Sequence, residues 1–166
     1  MARPELWLVA GPNGAGKTTL AQRGPLRELL PRASFLNPDD RALEFLRAEG
    51  FHGFSATPPE VLKRAFVEAA NATLEGVERC LQDGEAVCVE TVLSTDKYCR
   101  LMERVLGVGG RFFLIYVALR SPELAAERVR CRTRLGGHDV PLTKVRERWR
   151  RSLGWLPWLA ARATPF

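Results

Sequence analysis

Leu6-Trp7-Leu8-Val9-Ala10 is a short apolar run that stops at a glycine, the pattern of a strand buried on both faces of a parallel sheet. A Gly-rich stretch follows, then a helix from about Lys17 that Gly24-Pro25 breaks or restarts. Ala33 to Asn37 predicts a second strand. Pro38-Asp39-Asp40 opens a helix through Leu43, Phe45 and Leu46, with acids in the first turn, where the helix dipole favours them. The segment from Phe51 to Pro59, rich in Gly, Pro and Ser, predicts a loop. A long helix then runs from Pro59 to Asp83-Gly84, with Leu62, Phe66, Ala69, Thr73, Val77 and Cys80 as its core stripe. Ala86 to Glu90 predicts a third strand, Thr95 to Leu106 a helix, and Phe112 to Leu119 a fourth strand. Ser121-Pro122-Glu123 starts another helix, with Ser121 as N-cap and Pro122 at the first position. Two more helical segments are expected, Leu142 to Leu153 and Pro157 to Arg162.

Strands that alternate with helices predict an α/β domain: a doubly wound, mostly parallel sheet with helices on both faces. With 166 residues and no internal linker or repeat, a single domain over residues 1–166 is expected. Apolar residues make up 46% and charged ones 27%, an ordinary globular balance. No stretch approaches the ~20 apolar residues that span a bilayer. Met1-Ala2-Arg3-Pro4-Glu5 lacks the pattern of a secretory leader, so a cytoplasmic protein with no membrane partner is expected. Cys80, Cys88, Cys99 and Cys131 form no CxxC pair and no zinc-like spacing with His52 or His138, and read as reduced thiols. The net charge of +6, nearly all from arginine, fits either a nucleic-acid partner or an anionic small substrate. Charge alone does not choose between them.

The chemistry enters with Gly11-Pro12-Asn13-Gly14-Ala15-Gly16-Lys17-Thr18, which fits G-x-x-x-x-G-K-[ST] without a mismatch. Glycines let the backbone turn sharply, so that successive N–H groups point at a β-phosphate. The helix that follows adds its positive dipole end. Lys17 is placed to reach the β- and γ-phosphates and the Thr18 hydroxyl to ligate Mg²⁺, which predicts ATP or GTP as the bound nucleotide. Thr19 and Arg128 complete the predicted nucleotide set. The octet also looks like the phosphate loop of ABC transporter ATPases, yet the LSGGQ-type signature is absent. No strand ends in four aliphatics plus Asp; the nearest equivalent is Ala86-Val87-Cys88-Val89-Glu90.

In such a sheet, ligands bind beyond the C-terminal ends of the strands. Asn37, Asp39 and Asp40 follow strand two there, and Glu90, Thr91 and Ser94 follow strand three. Asp39 is the candidate general base on an acceptor hydroxyl, with a share in organising Mg²⁺, or a helix-start acid; the two roles are compatible. Glu90, Thr91 and Ser94 are candidate acceptor contacts, with a metal-bound water as the alternative partner of Glu90. After strand four, an Arg-rich lid of about residues 121–141 carries Arg128 and Arg132 on one helical face and Arg130 and Arg134 on a neighbouring one. An arginine of this segment over the γ-phosphate would neutralise charge that develops during transfer, or the segment is an exposed basic helix. His138, after two glycines, is expected to anchor the lid or its turn.

The order GPNGAGKTT, NPDD, VETVLS, RLGGHDVP, then Arg146, Arg148 and Arg150-Arg151-Ser152 resembles the zeta-toxin-like P-loop kinases over nearly the whole chain. The resemblance implies phosphorylation of a small-molecule hydroxyl by ATP or GTP with Mg²⁺, and an antitoxin protein as partner. It implies Lys17 and Thr18 as phosphate and Mg²⁺ contacts, Asp39 as base, Glu90 as substrate contact and Arg132 as lid arginine. Relatives usually continue into one more strand beyond Thr164-Pro165-Phe166, so the last strand of the sheet is expected to be missing. Rival readings are a kinase acting on a nucleoside, nucleic-acid end or antibiotic, and a nucleotide-binding module without phosphotransfer.

The founding toxins phosphorylate UDP-N-acetylglucosamine, and the family pattern places Thr and Arg where this chain has Val92 and Ser94. Valine keeps the shape of threonine but removes its hydroxyl, and a sugar-diphosphate oxygen left unpaired costs about 1–3 kcal/mol. UDP-N-acetylglucosamine is therefore expected to be a poor acceptor. Incubation with ATP and Mg²⁺ followed by mass spectrometry checks this, and rapid stoichiometric conversion would overturn it.

Overall fold

A computed structural model of the chain describes residues 3–23, 26–29 and 33–165. Four strands carry the site: β1 (Glu5–Ala10), β2 (Ser34–Leu36), β3 (Ala86–Thr91) and β4 (Arg111–Tyr116). The described helices are α1 (Lys17–Arg23), α2 (Leu26–Leu29), α3 (Pro38–Ala48), α4 (Pro59–Gln82), α5 (Lys97–Gly107), α6 (Pro122–Arg134) and α7 (Leu142–Ala160), with a 3₁₀ turn at Phe54–Ala56. The expected break at Gly24-Pro25 falls on residues outside the described set.

Every strand pair is parallel, in the order β2-β3-β1-β4. This is the expected doubly wound α/β fold. Alternation along β1 shows why helices cover both faces. Leu6, Leu8 and Ala10 point into a core shared with Val77 of α4, with Leu101, Met102 and Val105 of α5, and with Leu159 of α7. Trp7 and Val9 point the other way, toward Ala21 and Leu26 of α1 and α2. A strand buried on both faces must be apolar at every position, and β1 after Glu5 is. A third cluster lies under α6 and α7, where Ala125, Ala126 and Val129 meet Val140 and Val145.

The chain leaves β1 toward β2 and β3 on one side, and β4 lies on the other. The carboxyl end of β1 is therefore the switch point of the sheet, where a doubly wound fold opens its binding crevice. The Gly-rich loop leaves the sheet there.

Local differences from the expected elements have physical causes. β4 ends at Tyr116, not Leu119, and the chain beyond it turns under the third cluster through Val117 and Leu119. The two expected C-terminal helices are one, with Pro157 inside it. Proline removes one helical N–H, but Trp155, Trp158 and Leu159 on both sides of it pack against the main core. On α4 the buried residues are Ala65, Ala69, Thr73 and Val77, while Leu62, Phe66 and Cys80 are half-buried. On the outer edge of β4, Thr164 donates its N–H to Phe112 O at 2.6 Å, and its hydroxyl accepts from Phe112 N at 3.1 Å. All four cysteines are free, with Cys88 and Cys99 buried. No helix among the described residues is long and apolar enough to cross a membrane.

Candidate active site

The phosphate loop is wedged between strand ends. Gly11 donates its N–H to Thr91 O at 3.2 Å, and Val117 donates to Ala10 O at 2.8 Å. Gly11 has φ +145°, and a Cβ there would lie 2.3 Å from the carbonyl oxygen of Val117. Only glycine fits both constraints. At Gly14, with φ +74°, a Cβ would meet Ala125 O at 2.9 Å and Arg128 Cβ at 3.0 Å. The loop thus packs directly on α6, the helix that carries the lid arginines. Lys17 folds back over the loop and donates its ammonium to Pro12 O at 3.1 Å. Asn13 is also buried, and its Oδ1 has no hydrogen-bond partner among the described residues.

Glu90, at the end of β3, ties this loop to the acceptor side. Its Oε2 accepts from the Thr18 hydroxyl at 2.8 Å and from Asn37 Nδ2 at 3.1 Å. Its Oε1 lies 3.9 Å from Lys17 Nζ, with the two side chains only 13% and 6% exposed. Burial pushes the Glu90 carboxyl above its usual range, and the Lys17 charge and the Thr18 hydrogen bond pull it back. Burial likewise pushes the Lys17 ammonium down, while Glu90 and Asp39 hold it up. The resemblance implied Glu90 as a substrate contact; in this structure its oxygens are occupied by the phosphate loop and by Asn37.

Asn37 has a second task. As the N-cap of α3, its side chain accepts from the Asp39 N–H at 2.9 Å. One amide thus satisfies the helix start with its oxygen and Glu90 with its nitrogen. Sequence reasoning placed Asn37 at the strand end but gave it no role; an Asn before a helix-opening Pro-Asp pair was the available signal. The cap sets Asp39 at the mouth of the site, where its charge reaches Lys17 and His138. Asp40, next to it, is pushed up by burial and by the Asp39 charge.

Other expected site residues take different places. Thr91 Oγ1 accepts the N–H of Leu93 at 3.0 Å, in a turn where Leu93 itself has φ 58°. That left-handed residue aims the chain from β3 toward Ser94, which is half-buried. Arg128 is exposed, with its guanidinium 3.5 Å from Gly14 O. Arg132 turns inward: its Nη2 donates to His138 O at 3.1 Å, and its charge is felt at Lys17. Arg130 and Arg134 face solvent. Thr19 lines an open cleft of about 450 Å³ beside α1, together with Ala15, Gly16, Leu20, Arg23 and Val117.

The oxygen donors suit Mg²⁺. No cluster of three or more His, Cys, Asp or Glu that would cage a metal occurs among the described residues. A phosphate-bound Mg²⁺ needs none, because it keeps several waters and adds one or two protein oxygens to those of the phosphates. The Thr18 hydroxyl and the Glu90 carboxylate, 2.8 Å apart, are a hard-oxygen pair at the mouth of the loop.

The chain shares its α/β fold with solved kinases of P-loop fold. It is similar to a protein from Chloroflexus aurantiacus assigned as a kinase, at 22% identity and TM-score 0.65 over 88% of this chain and 80% of that one. It is also similar to a chain of the AvrRxo1-ORF1:-ORF2 complex solved with ATP, at 17% identity and TM-score 0.71, over 97% of this chain and 51% of that one. A gluconokinase from Sinorhizobium meliloti 1021 aligns at 18% identity and TM-score 0.52 over 91% of this chain and 76% of that one. Neither a protein-family model nor a curated protein matches the sequence.

Removing one partner of a buried ion pair strands the other charge, at a cost of about 3–5 kcal/mol. Glu90→Ala is therefore expected to destabilise the nucleotide-free protein by about 3 kcal/mol, since Thr18, Asn37 and Lys17 all lose their acceptor. Urea denaturation with an unchanged slope checks this. An unchanged midpoint would show that Lys17 is fully satisfied by Pro12 O.

Proposed function

We propose that the chain transfers the γ-phosphoryl group of ATP or GTP to a hydroxyl of a small polar or anionic acceptor. One observation carries the reading. The buried Glu90 carboxylate accepts from the Thr18 hydroxyl at 2.8 Å and lies 3.9 Å from Lys17 Nζ, and Asn37, which also donates to it, caps the helix start that carries Asp39. A metal-holding carboxylate, a base and a lid cation around a phosphate-loop lysine are the parts that phosphoryl transfer requires.

Each residue then has a task. Lys17 and the N–H groups from Gly11 to Thr18 hold the β- and γ-phosphates; Thr19 and Arg128 flank the rest of the nucleotide. The Thr18 hydroxyl would hold Mg²⁺, with Glu90 orienting that hydroxyl and a metal-bound water. When bound, Mg²⁺ supplies neutralisation of the phosphate oxygens. Asp39 accepts the proton of the acceptor hydroxyl as its oxygen bonds to the γ-phosphorus. The bond from that phosphorus to the bridging oxygen breaks, and the nucleoside diphosphate leaves. Arg132 offsets the charge on the transferring oxygens. Ser94, half-buried just past β3, serves as an acceptor contact, while the Thr91 hydroxyl is held by the Leu93 N–H. By resemblance to the zeta-toxin-like kinases, an antitoxin-like protein would cover this mouth.

Saturation with Mg²⁺ and ATP or GTP at a hundredfold above Kd stabilises a protein by about 2.7 kcal/mol. For a chain of this size the melting temperature is expected to rise by roughly 5–10 °C, and by far less in Lys17→Ala. Absence of any nucleotide-dependent shift in the parent would sink the reading at its first step.

Asp39→Asn is expected to bind nucleotide as the parent does, because the phosphate contacts come from the loop. It should lose acceptor phosphorylation by about 10²–10⁴-fold, since an amide does not take up the proton. Turnover against a metabolite panel, followed by mass spectrometry, measures this. Normal turnover of the variant with an identified acceptor would move the base to another residue.

A further inference from the structure

His138 joins two parts of the molecule that its place in the sequence does not connect. Its ring leaves the lid and packs on Phe66 of α4, with centroids 4.3 Å apart, and on Phe54 of the 3₁₀ turn at 5.6 Å. Phe54 and Phe66 stack on each other at 5.4 Å, so the three rings form one cluster built from three segments. The backbone of the same residue faces the opposite way: His138 O takes the hydrogen bond from Arg132 Nη2 at 3.1 Å. Gly137 closes the grip, because a Cβ there would lie 2.6 Å from Arg132 Cγ. The arginine stem therefore lies against the loop that His138 anchors.

The anchor point matters because α4 packs along α3, and Asp39 lies in the first turn of α3. The lid arginine and the carboxylate at the acceptor side are thus referred to one frame. Arg132 is also left incomplete. One arm is held by His138 O, while its Nε is buried with no partner among the described residues. A buried guanidinium donor without a partner is costly, and an anionic oxygen of a bound phosphate would relieve it.

We propose that His138 is the positioning residue of Arg132: its ring locks the lid loop onto the Phe54–Phe66 pair, and its carbonyl holds the guanidinium in its inward orientation. The lock operates through packing and through the backbone, so a phenyl ring serves in place of the imidazole. The kinetic part of this inference rests on the phosphotransfer reading; the structural part does not.

The test is a cycle of parent, His138→Ala, Arg132→Ala and the double variant, with His138→Phe as the conservative control. Misplacing a catalytic group by about 1 Å costs on the order of 10²-fold in rate. His138→Ala is expected to lower kcat for ATP turnover by about 10–100-fold, with the nucleotide KM little changed. It should add no further loss in the Arg132→Ala background, and His138→Phe should recover most of the rate. Additive losses, or full rate in His138→Ala, would overturn the proposal. A His138→Phe protein as slow as His138→Ala would overturn it too, by moving the role to the imidazole nitrogen. Limited trypsin digestion reads the lock without turnover. Leu135 is 89% exposed, and cleavage after Arg134 should be several-fold faster in His138→Ala than in the parent or His138→Phe. Equal cleavage in folded parent and His138→Ala, matched by melting temperature, would remove the lock even if no acceptor is found. Failure of the parent to bind nucleotide would remove the phosphotransfer reading and leave the digestion result to decide the lock.

Discussion

Glu90 is delivered by β3 to a place where water scarcely reaches, and a carboxylate there must be ringed by donors. The donors come from three directions: Lys17 and Thr18 at the start of α1, and Asn37 at the start of α3. Satisfying one buried charge therefore fixes the phosphate loop against β3 and sets the cap that aims Asp39. Parallel register makes this possible, since β1 and β3 run side by side with Ala10 opposite Thr91. A slip of one residue would turn Glu90 to the other face of the sheet and leave Lys17 buried without its counter-charge.

A second layer hangs on the loop from the other side. Gly14 touches α6 closely enough that no larger residue fits, so the lid helix has a rigid footing on the nucleotide site. The α6–α7 hairpin also holds most of the charge. Residues 122–160 carry nine Lys and Arg against four Asp and Glu, which is +5 of the chain's +6. Some of these charges are used within the hairpin, as between Arg146 and Glu123 and between Arg151 and Glu147. Arg132 is turned inward, its Nη2 on His138 O and its Nε buried without a partner among the described residues.

The contrast between Thr18 and Thr91 shows where a sequence motif carries enough information. Thr18 belongs to an octet whose spacing dictates its geometry, and its hydroxyl lies at the loop mouth beside the Glu90 carboxylate near the end of β3. Thr91 was grouped with Glu90 because both end the same strand, yet its hydroxyl bonds the backbone of a left-handed turn. Alternation along a strand says which face a side chain takes; it does not say whether the backbone ahead will claim it. Pro157 is the parallel case in helices, where a local breaker was outweighed by the tryptophans packed around it.

The order of elements, the parallel sheet, the phosphate loop and the cap at Ser121 were legible from residues alone. Each depends on interactions within a few positions along the chain: apolar periodicity, glycine's freedom at positive φ, and short-range capping. The partners of Glu90, the inward turn of Arg132 and the ring cluster at His138 join residues far apart in sequence. No local pattern encodes such contacts, because they arise only when β3 lies beside β1 and the lid folds back over α4. The chain's own residues thus determined the Gly-rich loop and its lysine at the switch point of the sheet; the tertiary structure decided which acid and amide surround that lysine, since desolvation and charge act through space and not along the backbone.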